Sequence, residues 1–356
     1  MKNLKFFYFD IIFTVVALIG AGYWGFIHGG TTALVSALFF TLVLALMEIS
    51  LSFDNAVVNA SVLKHWDKFW KTIFLTVGML IAVFGMRLVF PIVIVAVTAD
   101  MSMGQVVDLA LNDPKEYSAK LIAHHAEIAA FGGMFLLLVF LNFVFDDKDI
   151  HWFGWLESRL ARFGKVDAMS VFVAIVTLMI SLLWVDEAQK SAVLMAGVWG
   201  ILIYMGVNVL STLLEGDDDD EKVDGNEVAG AIAKGGIAGF LYLEVLDASF
   251  SFDGVIGAFA ITNDVIIIMI GLAIGAMFVR SMTIFLVEKG TLDEFVYLEH
   301  GAHYAIGALA IIMLISMKFH VPEMVTGLIG IAFIVASVIA SVQYRKNNPS
   351  TEDETG

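Results

Sequence analysis

The chain has 356 residues, 59% of them hydrophobic and only 16% charged, with a mean hydropathy of +0.87. Soluble domains run nearer about 45–50% apolar and about 25% charged, and several stretches here exceed the roughly 18 apolar residues that mark a membrane span. A net charge of −16 and the lack of any cysteine exclude a basic nucleic-acid surface, disulfides, thiolate metal sites and cysteine nucleophiles.

Hydropathy predicts a polytopic all-α membrane helix bundle of about nine to ten transmembrane helices, with candidates near 8–27, 32–62, 72–98, 121–145, 169–185, 191–214, 229–261, 264–287, 302–318 and 323–343. The first follows a short basic flank and has no small-x-small cleavage site behind it, so it reads as a retained helix. The second, third and seventh exceed the roughly 20 residues that a crossing needs and must tilt, protrude or break. Residues 1–145 form a first membrane repeat with its N-terminal helix. An amphipathic linker follows at 146–168, where Trp152, Trp155, Leu156 and Phe163 supply an apolar side and Arg159 and Arg162 suit anionic headgroups. Connecting helices fill 169–214, an acidic loop 215–227 holds the run Asp217 to Glu221, a second repeat covers 228–343, and 344–356 is a polar tail.

Lysine and arginine sort by side. With the N-terminus inside, thirteen fall in cytoplasmic connections and four outside. That asymmetry predicts N-in and C-in topology, and the expected location is the bacterial inner membrane, with the lipid bilayer as partner. A homo-oligomer is compatible with the sequence.

The two halves match each other. "EISLSFDNAV" (48–57) aligns without a gap to "DASFSFDGVI" (247–256), an intramembrane arginine follows one helix later in each half (Arg87 and Arg280), and "AHHAEIAAFGG" (123–133) resembles "LEHGAHYAIGA" (298–308). The matched helices are five apart, so the repeats cross in opposite directions, the inverted topology of secondary transporters with a midplane site.

Chemistry concentrates in the acids. Each charged side chain at the bilayer centre costs at least about 2.5–3.5 kcal/mol, and Glu48, Asp54, Asp247 and Asp253, with Glu244 nearby, outnumber Arg87 and Arg280. The surplus calls for a cation or bound protons. Six residues on a straight helix is about 600°, so Glu48 and Asp54 point about 120° apart and cannot chelate one ion from an unbroken helix. The helix is therefore expected to break or be shared at Ser50–Asn55, and Gly254 to ease unwinding in the second copy. Carboxylates, the Asn55 amide and hydroxyls suit a hard divalent ion such as Mn²⁺, Mg²⁺ or Ca²⁺. Arg87 and Arg280 are expected to pair with the acids of their own halves and tune the site. His124, His125 and Glu127 open the fourth helix, and His300 and His303 the ninth. Interfacial hydrogen bonding is their plain role, with gating, proton transfer or ion entry as the alternative.

"MEISLSFDNAVV" and "SFDGVIGAFAITND" together resemble the two signatures of the TerC family of integral membrane proteins, across roughly residues 31–145 and 228–318. The long middle and "YLEHGAHYAIGALA" resemble a TerC-related branch of unknown function. The resemblance implies a superfamily of cation and amino-acid exporters, with several members linked to Mn²⁺ efflux. Its signature acids and amide map onto Glu48, Asp54, Asn55 and Asp253, while Asp247 comes from the internal alignment; Gly254 departs from the small polar residue often found there. The expectation is a non-enzymatic exporter of a divalent cation, Mn²⁺ first, with no tightly bound cofactor and a midplane site of Glu48, Asp54, Asn55, Asp247 and Asp253. An amine or basic amino-acid exporter, or a non-transporting stress-response scaffold, is the alternative. An intramembrane aspartyl protease would need a Gly-x-Gly-Asp setting, which neither Asp54 nor Asp253 has.

Overall fold

The computed structural model describes residues 2–148, 150–164, 166, 168–214, 235–289 and 295–347. The acidic loop 215–227 and the tail beyond 347 lie outside the described residues. Among the described residues there is no strand.

After a 3-10 turn at Lys2–Phe7, α1 (Tyr8–Leu51) folds back on itself at Gly29 and Gly30. Gly30 has φ 67° and ψ −153°, a region essentially reserved for glycine. The arms 8–28 and 31–51 then approach so closely that a Cβ on Gly25 would stand 2.6 Å from the Ala33 carbonyl oxygen. Beyond Ser52, α2 (Phe53–Leu63) continues the second arm. Next, α3 (Lys68–Ile73) passes through two π-helical stretches, Phe74–Gly78 and Ile81–Val89, into α4 (Phe90–Thr98). Pro91 has no N–H for the carbonyl four residues back, at Arg87, which favours widened turns just before it.

Two short helices follow. They are α5 (Met103–Asn112), begun by a Ser102–Gln105 capping box, and α6 (Pro114–Ala123), capped by Asp113. The central helix α7 (His125–Phe145) is the most enclosed, with Met134, Phe135, Leu136 and Leu138 fully buried. The predicted linker contains α8 (Gly154–Gly164), which meets α9 (Met169–Ser181) at a bend of 103°. The remaining helices are α10 (Lys190–Leu214), α11 (Ile237–Ile261), α12 (Val265–Lys289), α13 (Leu298–Ser316) and α14 (Glu323–Asn347).

All ten hydropathic segments recur as helices among the described residues, with 229–234 of the seventh outside them. Seven helices among the described residues are long and apolar enough to cross a membrane, with an eighth if the bent α8–α9 pair is one span. That number is below nine to ten for physical reasons: the two arms of α1 count once, and α11 carries Glu244, Asp247 and Asp253 in 25 residues. α7 packs on α10 and α13, α1 packs on α12, and α13 packs on α14. Outward-facing Ile12, Val16 and Ile19 of α1, Leu183 beyond α9, and Leu328 and Ile339 of α14 are exposed, as a surface covered by lipid rather than water requires.

Side-chain contacts define two ends. At one, Trp24 Nε1 donates to Asp264 Oδ2 (3.0 Å), Tyr117 packs on Phe259, and Lys318 pairs with Asp186 (2.5 Å); this is the α5–α6 end. At the other, the α8 end, Phe6 packs on Phe285 and Tyr297 on Tyr344.

Candidate functional site

The first acidic motif sits at the joint between α1 and α2. Ser52 leaves helical geometry (φ −100°, ψ 16°), yet its N–H still reaches the Glu48 carbonyl (2.9 Å) and its own carbonyl accepts from Ala56 N–H (3.1 Å). The predicted interruption within 50–55 is thus a kink at one residue, not an unwound stretch. The Ser52 hydroxyl turns inward and donates to Glu48 Oε1 (2.9 Å). The second copy does not loosen: α11 is continuous through 247–256. Gly254 makes room instead, since a Cβ there would stand 3.0 Å from Glu48 Oε2. Gly275 of α12 packs directly on the Glu48 side chain and Gly271 on Leu44, so the small residues of 271–275 set the close α1–α12 approach.

Glu48 is 1% exposed and Arg87 7%. They form a buried ion pair through Arg87 Nη2 and Glu48 Oε1, while Nη1 donates to the Ala82 carbonyl (2.7 Å). The wide turns of 81–89 aim the guanidinium at α1, and π stretches of this kind recur at functional sites. Asp247, also buried, accepts from Asn55 Nδ2 (2.5 Å) and Asn59 Nδ2 (3.2 Å) on α2. It lies within electrostatic reach of both Arg87 and Glu48. One turn earlier on α11, Glu244 is 5% exposed and neither of its oxygens has a hydrogen-bond partner among the described residues.

Asp54 points elsewhere, as the 120° estimate requires. Its Oδ2 lies against Gly330 of α14, where a Cβ would approach to 2.6 Å. Glu48 and Asp54 nevertheless share one cavity of about 300 Å³, whose inner wall also includes Ser52, Phe250 and Gly254. Its outer wall is built by His125, Gln189, Lys318 and His320 at the α5–α6 end. The cavity therefore runs from one end of the bundle to two buried carboxylates.

The other candidate residues separate. Arg280 does not mirror Arg87: its Nε donates to the Leu75 carbonyl (2.7 Å), and the acid in its electrostatic reach is Asp10 of α1. Of the two acids expected to pair with it, Asp253 or Asp247, Asp247 turns toward α2 instead, while the fold-back of α1 brings Asp10 to α12. The Asp253 side chain lies outside the described residues. His124 Nδ1 lies 3.3 Å from Glu127 Oε1, in ordinary hydrogen-bonding contact. At the α8 end, His300 Nε2 donates to the Ile150 carbonyl (2.9 Å), and His303 bonds the Glu299 carbonyl (2.9 Å) and stacks on Phe143. Glu157 of α8 is fully buried there, accepting from the Tyr304 hydroxyl (2.9 Å) and the N–H groups of Trp152 (3.2 Å) and Phe153 (3.3 Å). Beside it, Lys148 lies over the Phe143 ring, and burial holds its ammonium below the usual lysine range while pushing Asp146 up.

Among the described residues, no three His, Asp or Glu side chains converge closely enough to hold a metal ion. The predicted ligands with described side chains, Glu48, Asp54, Asn55 and Asp247, are therefore not a preassembled cage. The structure instead joins Glu48 with Ser52 and Arg87, and Asp247 with Asn55 and Asn59, and puts Asp54 across the shared cavity. Sequence reasoning missed Ser52, Asn59 and Asp10. Asn59 repeats Asn55 at helical spacing, and Asp10 is another acid in an apolar run, so both carried a readable signal.

An all-α bundle with apolar outer faces and a buried ionic centre defines a polytopic membrane protein. The chain belongs to the family described as "Protein of unknown function (DUF475)", whose model matches residues 53–348. No curated protein and no solved structure matches it.

Proposed function

We propose that this protein is a secondary transporter that exports a small hard cation, with Mn²⁺ as cargo, and that the α5–α6 end faces away from the cytoplasm. One observation carries the reading: a cavity of about 300 Å³ leads from that end to the buried carboxylates of Glu48 and Asp54. Its donors are carboxylates and a hydroxyl, with the amides of Asn55 and Asn59 behind them, a set suited to hard divalent ions. The resemblance of both acidic motifs to the TerC signatures supports Mn²⁺ as the ion.

Arg87 serves as a built-in counter-cation in this mechanism. While it holds Glu48, the centre is neutral enough to stay buried. An arriving cation bound by Asp54 competes with the guanidinium for Glu48, and Arg87 falls back on the Ala82 carbonyl it already touches. The acids bind and do not make or break covalent bonds, so the protein is not an enzyme and needs no resident cofactor.

The test is flux into proteoliposomes against a panel of divalent cations and lysine, with an imposed pH gradient. Wild type should accumulate Mn²⁺, and Asp54→Asn and Glu48→Gln should each abolish this while remaining folded. Lysine flux without Mn²⁺ flux would replace the cargo with an amine, for which the cavity has room. No flux of any solute in wild type would overturn transport.

A further inference from the structure

Glu244 stands outside that site and has no role in it. Its carboxyl is 5% exposed, and neither oxygen has a hydrogen-bond partner among the described residues. It is pressed against the first π stretch, where a Cβ on Gly78 would come within 2.5 Å of Oε1, and the rings of Phe74 and Phe240 close the same spot. Among the described residues, no cation stands beside it. Asp247 is the charged group in its electrostatic reach, and it carries the same sign. Residues 74–78 present no charge; the neighbouring Arg280 is engaged by the Leu75 carbonyl and Asp10. Glu48 and Arg87 face Asp247, not Glu244. α7 and α10 offer Phe135 and Tyr204 near Tyr242.

A buried carboxylate without a donor or counter-charge sheds its charge by taking up a proton. Glu244 and Asp247 also share one face of α11, about 4.5 Å apart along the axis. Asp247 is tied through Asn55 and Asn59 to α2, the helix that starts at the Ser52 kink. Glu244 lies on the α8-end side of Asp247, toward the start of α11 and Trp66, against which Gly235 packs. The Glu48–Asp54 cavity opens at the opposite end.

We propose that Glu244 is a proton-binding site, discharged to the α8 end and reloaded by way of Asp247, whose proton is exchanged for the transported cation. With Glu244 protonated, Asp247 carries its charge alone and stays on its two asparagines. When a cation enters the centre, the carboxylic acid gives its proton to water at the α8 end, and the second negative charge this leaves is balanced by the cation. When the cation leaves through the cavity, two like charges one turn apart cannot both persist, and a proton from that end reaches Glu244 by way of Asp247. This rests on the cation reading above for the exchange partner, but not for the proton site itself.

Two measurements on the full chain separate the claims. In proteoliposomes with an internal pH dye, wild type should couple Mn²⁺ uptake to proton release. Glu244→Gln should keep Mn²⁺/Mn²⁺ self-exchange but lose about tenfold or more of its acceleration by a pH gradient. Infrared spectra of purified wild type near neutral pH should show a protonated carboxylic acid band that Glu244→Gln lacks. Should that variant not fold, Glu244→Asp should shift the band. A pH-gradient response intact in Glu244→Gln, or no band assignable to Glu244, overturns the proposal. If wild type moves no Mn²⁺, the cation reading fails, and the infrared band still decides the proton site.

Discussion

Arg87→Met isolates the energetics of the buried pair. The substitution removes the guanidinium from Glu48 and leaves a carboxylate 1% exposed with only the Ser52 hydroxyl as donor. Removing one partner of a buried ion pair costs about 3–5 kcal/mol, most of it the penalty for the charge left behind. That origin makes a second prediction from the same structure: Glu48→Gln in the Arg87→Met background removes the stranded charge and keeps an acceptor for Ser52. The double variant should therefore be more stable than Arg87→Met alone, with a coupling energy at the upper end of the 0.5–3 kcal/mol range, about 2–3 kcal/mol. Reversible denaturation in bicelles, checked for two-state behaviour by two probes, measures all four corners of the cycle. If the double variant is destabilised by the sum of the singles, the pair carries no coupling, and the account of a neutralised centre held by Arg87 is wrong.

Gly330→Ala would bring a methyl to 2.6 Å from Asp54 Oδ2, so the carboxylate must swing away from α14; the KM for Mn²⁺ should rise several-fold with folding intact, and an unchanged KM would remove Asp54 from the path. Lys148 is the pH probe at the α8 end. Burial holds its folded value below the unfolded 10.5, so the unfolded chain binds more protons and stability should climb as pH rises through that window. Melts of wild type and Lys148→Met across the alkaline range should differ in slope in that direction, and parallel curves would contradict it.

The membrane bundle was legible because long apolar runs are conspicuous, and an interruption near Ser52 was one of the two outcomes that the angle between Glu48 and Asp54 leaves open. That same angle, taken as an obstacle to chelation, correctly separates the two carboxylates onto different neighbours. What the sequence hid was pairing across helices. The repeat places Arg280 as the twin of Arg87, but the twin relation says nothing of the fold-back at Gly29 and Gly30 that delivers Asp10 to α12. Gly254 looks like a missing ligand on paper and is a space for Glu48 in three dimensions. The π stretches leave almost no trace in residue type beyond Pro91, since a wide turn is a choice of hydrogen-bond register and not of side chain.

That register has a mechanical corollary. The segment Ile81–Val89 is wound more loosely than an α-helix, so it holds slack that a regular helix lacks. Passing one wide turn from before Arg87 to after it turns the residues between by a single residue step, about 100° of azimuth. Arg87 rides on that segment. A rotation of this size carries its guanidinium off α1 altogether while both ends of the 68–98 rod stay anchored. The ionic lock on Glu48 is thus mounted on a screw, and it needs neither a hinge nor a moving domain to turn.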